Sequence, residues 1–246
     1  MSDDMSLHEI IHKESTILDD ADQKYGPFFR NAHDFIGLMQ DAIMESKPDA
    51  WLFAIFFSQV KKFTLLAFFS ALRLHRVQAM QNMRQVLEAG ANAAYGIANS
   101  DHNHYAKKGP HDTLETSKEL DVKRYQWLKK HYPGGSQTIE NQKKGINKSG
   151  AHSNIVYAFN NFRMSDTSRA FEFSFFDEAD ADHIKTDLWF IANTSMGLLD
   201  LFYGVNRDYK RLTFADDFLK RLKEYEAVNL KLKEEMMQKP RFTRFS

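Results

Sequence analysis

The sequence contains no cysteine. Disulfides, Cys-ligated zinc and iron–sulfur clusters are therefore excluded, and any metal would have to be held by His, Asp or Glu. Proline is scarce, with 5 in 246 residues, and none falls between Trp51 and Asn99, a stretch that also holds only two of the 11 glycines. Few residue types therefore interrupt a helix there. Net charge is absent as well: 33 Lys and Arg balance 33 Asp and Glu, which removes any global electrostatic argument for a nucleic-acid or membrane partner. The opening MSDDMSLHE has neither a basic n-region nor an apolar h-region, so no signal peptide and a cytoplasmic location are expected.

What is present is apolar and aromatic. Hydrophobic residues make up 43% of the chain and 21 of them are phenylalanine, enough to bury a core and exclude global disorder. The charge is distributed in blocks: −7 over residues 1–50, +8 over 51–150, −5 over 151–200 and +4 over 201–246. Alternating blocks describe a folded body with charged faces better than a single binding tail.

Helical spacing dominates. Leu7, Ile10, Ile11, Ile17 and Leu18 recur at that period behind a Ser6/Glu9 capping box, and Gly26-Pro27 then opens a second helix reaching about Ser46. Pro48 ends that helix and Asp49 is placed to cap the next. Trp51–Leu72 is the most apolar stretch, read as a buried helix. It is a poor membrane span, because Lys61 and Lys62 stand at its middle, and no membrane partner is expected. A break near Leu74–Arg76 leads to a helix to Asn99, thinned by Gly90, Ala91, Ala93, Ala94 and Gly96 for close contact. A charged helix over 114–132 follows, then Pro133-Gly134-Gly135 as an exposed hairpin tip, and a polar, partly helical 136–148. Ala151–Phe162 reads as a further helix. Phe171, Phe173 and Phe175 alternate with polar residues as one extended segment. Asp177 is placed to cap a helix to about Tyr203, and Thr213 with Asp216 to open the last one. There Phe218, Leu222, Tyr225, Asn229, Leu232 and Met236 form one stripe. The expectation is an all-α multi-helix bundle of about seven or eight helices, with at most one short extended segment near 171–176. It is a single domain over 1–239, with a protruding basic region at 100–148 and a flexible tail at 240–246.

Several residue patterns carry possible chemistry. His8-Glu9-Ile10-Ile11-His12 matches HExxH, which in zinc hydrolases sets two His ligands and a Glu base on one helix face. A solvated helix face explains the same residues, a third ligand is not evident, and neither metal nor cofactor is expected. Asp101, His102, His104, His111 and Asp112 form a His-rich loop without an evident second shell. Arg84 and Glu88 stand at i, i+4, either as a surface ion pair or as a polar pair on a largely apolar helix. Ser149 can cap a helix whose first turn holds His152, with Asn154 just beyond, and a helix N-terminus keeps such an imidazole neutral. Residues 107–148 hold ten Lys or Arg against five acids, with Tyr125, Trp127 and Tyr132 interleaved. This is either a solvated basic face or an RNA-binding one.

The order Met83-Arg84-Gln85-Val86-Leu87-Glu88, then Ser149-x-x-His152-Ser153, resembles uncharacterised all-helical bacterial proteins. In these an Arg-x-x-x-Glu helix precedes a Ser-x-x-His-[Gly/Ser] helix start, and the likeness covers about residues 50–160. That group is distantly similar to HEPN domains, helical bundles associated with RNA cleavage, toxin–antitoxin systems and phage defence. HEPN ribonucleases carry an Arg-x(4–6)-His motif, which Arg124 and His131 match, with Tyr125 where those nucleases have a polar residue. The resemblance implies a binding or sensing component of a bacterial stress or defence system, with Arg84, Glu88, Ser149, His152 and Asn154 lining a pocket. A metal-independent ribonuclease using Arg124 with His131 or His152 is the alternative. A metal hydrolase through His8, Glu9 and His12 is the third reading. By analogy with such bundles a homodimer is expected.

Overall fold

The computed structural model describes residues 5–149, 162–164, 171–177 and 179–239; at 148–149, 162–164 and 171–173 it describes the backbone alone. Among these residues it is an all-α bundle. Nine α-helices are present, eight of them at least seven residues long, joined by short strands. The helices are α1 (Leu7–Asp19), α2 (Ala21–Tyr25), α3 (Pro27–Asp41), α4 (Trp51–Leu72), α5 (Arg76–Ala98), α6 (Lys118–His131), α7 (Pro133–Ser149), α8 (Ala181–Tyr209) and α9 (Phe218–Met237).

The capping box forms as the sequence predicts, with Ser6 N–H donating to Glu9 Oε2 at 2.6 Å and Glu9 N–H to Ser6 Oγ at 3.3 Å. Gly26 takes φ 53°, a left-handed conformation that favours glycine, and Pro27 fills the first position of α3.

The central pair is α4 and α5. Its corner is a Schellman closure in which His75 N–H reaches Ser70 C=O at 2.8 Å and Leu74 N–H reaches Ala71 C=O at 3.2 Å. The left-handed residue is Leu74, at φ 63°, where glycine is usual. The expected thin stretch of α5 explains how closely the helices approach: a Cβ on Gly96 would sit 2.7 Å from the backbone nitrogen of Phe53. α8 lies across both, stacking Phe202 edge-on to Phe53 and Phe57 at 5.4 and 5.7 Å. α3 and α9 close the other side, and the stripe from Phe218 to Met236 faces inward as expected.

The structure corrects several local expectations. More than one extended segment exists: three two-stranded antiparallel ribbons pair Ile43–Ser46 (β1) with Leu212–Phe214 (β6), Lys107–Lys108 (β2) with Leu114–Glu115 (β3), and Phe162–Met164 (β4) with Phe171–Phe173 (β5). Residues 43–46 thus leave α3 for a partner that lies far along the chain. For the same reason Thr213 and Asp216 precede the last helix without opening it. Asp49 ion-pairs with Arg211 at 2.9 Å, and the start of α4 has no side-chain cap. Asp180, not Asp177, caps α8, accepting from His183 N–H at 2.8 Å. Pro133-Gly134-Gly135 starts α7 and is no hairpin tip, since proline suits a first helical position. Within the 100–148 region, Leu128, Ile139 and Ile146 of α6 and α7 are buried in the main core, while residues 107–116 are almost all exposed.

α4 is covered on one side only. Trp51, Ile55, Leu66 and Phe69 stay between 39% and 47% exposed. By length and composition, Pro48–Leu72 and α8 are both long and apolar enough to cross a membrane, with 39% and 56% of their most apolar windows buried in the fold. The reading of Ala151–Phe162 as a helix falls outside the described residues, save Phe162, which begins β4; the 240–246 tail falls outside them entirely.

Candidate functional site

The Arg84–Glu88 pair forms on α5, with Arg84 Nε donating to Glu88 Oε1 at 3.2 Å, each side chain about one-third exposed. It does not stand alone. α7 runs alongside and contributes residues four apart on one face: Lys143 Nζ contacts the same Glu88 oxygen at 3.0 Å, and Asn147 accepts from the Arg84 guanidinium. Lys143 also donates to the Tyr125 hydroxyl at 3.1 Å and lies over that ring, 4.9 Å from its centroid. Three helices therefore meet in one polar network.

Tyr125, Lys143 and Asn147 of this network line a cleft of about 510 Å³ between α6 and α7, whereas Arg84 and Glu88 do not line it. Lys118, Lys129, Lys143 and Lys144 line it against Asp121 and Glu140, with Val122 and Tyr125 as its apolar part. Lys144 pairs with Glu140 at 2.8 Å, whereas neither Lys118 nor Lys129 makes an ion pair with a described residue. Burial pulls the Lys143 ammonium toward neutrality, but the Tyr125 hydroxyl and Glu88 outweigh it and hold its pKa above the ordinary lysine value. Lys143 thus stays charged, which suits it to hold an anion and not to attack a carbonyl.

Ser149 is the last described residue of α7, and its proposed role as the cap of a following helix lies outside the described residues. His152 and Asn154 lie outside the described residues. Lys143, Asn147 and Tyr125 were not singled out as site residues from the sequence. Lys143 and Tyr125 fall in the basic, aromatic-bearing 107–148 region, and Lys143 and Asn147 repeat the i, i+4 spacing of Arg84 and Glu88.

Arg124 and His131 sit seven residues apart on α6, about 10 Å along its axis. Arg124 is buried, donating to Asn92 Oδ1 at 2.9 Å and His104 C=O at 2.8 Å and pairing with Asp121. Its guanidinium also lies over the Tyr105 ring at 5.0 Å. His131 is exposed and rests on Trp127 at 5.2 Å. Arg124 therefore anchors the 101–105 turn to α6, and its hydrogen bonds go to structural partners. His104 Nδ1 lies 2.5 Å from the Tyr95 hydroxyl, which ties the His-rich loop to α5.

His8, Glu9 and His12 all lie on the exposed face of α1. Hydrogen bonds from Ser6 hold the Glu9 carboxyl below its usual range, so it serves as a helix cap. No group of three or more His, Asp or Glu side chains is placed to hold a metal ion among the described residues. No family model matches the chain, and neither a curated protein nor a solved structure does.

Proposed function

We propose that the protein is a binding component, of the kind found in stress or defence systems, that takes single-stranded RNA along the α6–α7 cleft. The observation that carries this is Lys143, held charged at the inner wall of a cleft whose rim adds Lys118, Lys129 and Lys144. Phosphates supply the charge those lysines match, and Tyr125 with the 44%-exposed Val122 offers an apolar surface for a base. Binding is proposed in preference to cleavage because Arg124 is committed to Asn92, His104 and Asp121. A nuclease would need that guanidinium at the scissile phosphate.

The test is fluorescence anisotropy with a labelled oligouridylate between about 50 and 200 mM salt. Binding that weakens steeply with salt is expected, and Lys118→Glu/Lys129→Glu should flatten the log–log slope by about 1.4 units, or 0.7 per lost phosphate contact. Salt-insensitive binding, or a double variant that binds as the wild type does, rejects the proposal.

A further inference from the structure

The α4–α5 corner carries a second concave site, separate from the α6–α7 cleft and built from different residues. The Schellman closure at Leu74 fixes the directions in which Arg73, His75 and Arg76 leave the backbone. Arg76 turns inward, its N–H donating to Asp177 Oδ2 at 2.6 Å and its guanidinium bidentate on Asp187 at 2.6 and 3.0 Å. His75 meets Glu14 of α1, Nε2 to Oε1 at 3.0 Å, with its ring edge-on to Phe175 at 4.9 Å and stacked on Phe176 at 5.7 Å. Arg73 differs from both. Its Nε is buried and ion-pairs loosely with a Glu14 oxygen at 3.9 Å, while the guanidinium lies over the Phe69 ring at 5.7 Å. The side chain is 40% exposed, and its guanidinium makes no hydrogen bond with a described residue.

Beside Arg73 opens a cleft of about 610 Å³, bounded by the end of α4, the start of α5, Glu14 and the Phe175–Asp177 segment. Three large apolar side chains on its walls remain open to solvent: Leu66 at 41%, Phe69 at 39% and Phe175 at 50%. Apolar surface gathered in a concavity, next to a donor that lacks an acceptor, describes a ligand by its complement. The head group must accept a hydrogen bond and carry negative charge, while the body must be apolar.

The charge on the rim sets how much negative charge the head can hold. Glu14 and Asp177 both line the cleft, so a dianion would meet two carboxylates with one guanidinium to offset them. A single negative charge is the better match. Gln78 and Gln81 on the α5 wall add side-chain amides that can orient a planar head group.

We propose that this cleft binds a small organic carboxylate, its head on Arg73 and its acyl chain or aromatic ring against Leu66, Phe69 and Phe175. The geometry asks nothing of His75 beyond fixing Glu14, which leaves the exposed part of the Arg73 guanidinium for the ligand.

The test is titration calorimetry of the full chain with octanoate, benzoate, acetate and octyl phosphate. Octanoate or benzoate should saturate one site, with acetate and octyl phosphate at least about tenfold weaker. Arg73→Gln should weaken the tighter carboxylate by about tenfold or more, the loss of a charge-assisted hydrogen bond, while Arg84→Gln leaves it unchanged. Leu66→Glu, at an exposed position that folding tolerates, should weaken it as well and covers the case in which Arg73→Gln does not fold. Failure of both carboxylates to saturate, wild-type affinity in Arg73→Gln and Leu66→Glu, or tighter binding of octyl phosphate would each overturn the proposal.

Discussion

Lys143 shows how a single side chain ties helices together and what its removal should do. It joins Glu88 on α5 to Tyr125 on α6 from a side chain that is only 21% exposed. Lys143→Met should therefore lower stability by about 1.5–3 kcal/mol, the range for a hydrogen bond to a charged group. The pH window follows from the direction of its shift. A lysine whose folded pKa is raised contributes fully below its unfolded value, 10.5, and loses that contribution as pH rises through the folded value. Wild type and Lys143→Met should thus differ by a constant amount from neutral pH to about pH 9.5 and converge above 10.5, as read by urea melts across that range. A second case is the asparagine chain in the core, where Asn31 Nδ2 donates to Asn229 Oδ1 at 2.9 Å and Asn229 Nδ2 to Asn193 Oδ1 at 3.2 Å. Asn229→Ala removes a partner from the buried Asn31, at about 1–3 kcal/mol, and from the half-buried Asn193, at less. Asn31→Leu/Asn229→Leu should be the more stable of the two variants in the same melts. If the single variant melts with the wild type, those hydrogen bonds add nothing to stability.

Among elements, the α4–α5 corner concentrates the charge that the fold buries. Asp187 on α8 is 4% exposed, and burial drives its pKa upward while the Arg76 guanidinium pulls it back down. Arg76→Gln would leave that carboxylate uncompensated and should cost about 3–5 kcal/mol. Protonation removes the buried charge, so the deficit should shrink as pH falls from 8 toward about 5, the reverse of ordinary acid destabilisation. A deficit that is constant over that range would show that Asp187 is solvated in the folded chain. Helix contact gives a separate test. A methyl on Gly96 meets the Phe53 backbone at 2.7 Å, whereas one on Gly90 meets the tip of the Leu198 side chain, which can rotate away. Both alanines gain about 1 kcal/mol of helix propensity. Gly96→Ala should nonetheless melt lower than Gly90→Ala, because overpacking against backbone costs about 1–3 kcal/mol. Helices with strong local signals were legible in this way: the capping box, the break at 74–76, the small residues of α5 and the stripe of α9. β1 and β6 were not, because each is extended only by virtue of a partner nearly 170 residues away. The corner cluster was illegible for the same reason, since Glu14, Arg76 and Asp187 are brought together by three helices distant in sequence.

At the scale of the molecule, the unequal covering of the helices predicts where it opens first. α5 and α8 each bury thirteen residues, and their neighbours enclose them in one continuous core. α1 buries none. It is held by the half-buried Ile17 and Leu18, by Glu14 on His75, and by Lys13 over the Phe176 ring at 4.6 Å, while Leu7 and Ile11 are 72% and 56% exposed. Local opening free energy follows the buried contacts that opening must break. Native-state hydrogen exchange should therefore show α1 amides exchanging through a local opening that is insensitive to low denaturant. Amides of α5 and α8 should exchange only through global unfolding, with the full denaturant dependence of the melt. The Glu14–His75 contact makes the ordering testable by substitution. Glu14→Gln should speed exchange in α1 and leave the α5 amides unchanged, because it loosens a helix that the core does not need. Equal acceleration in α1 and α5 would mean instead that α1 unfolds together with the bundle, and that Glu14 stabilises the whole fold through the corner it touches.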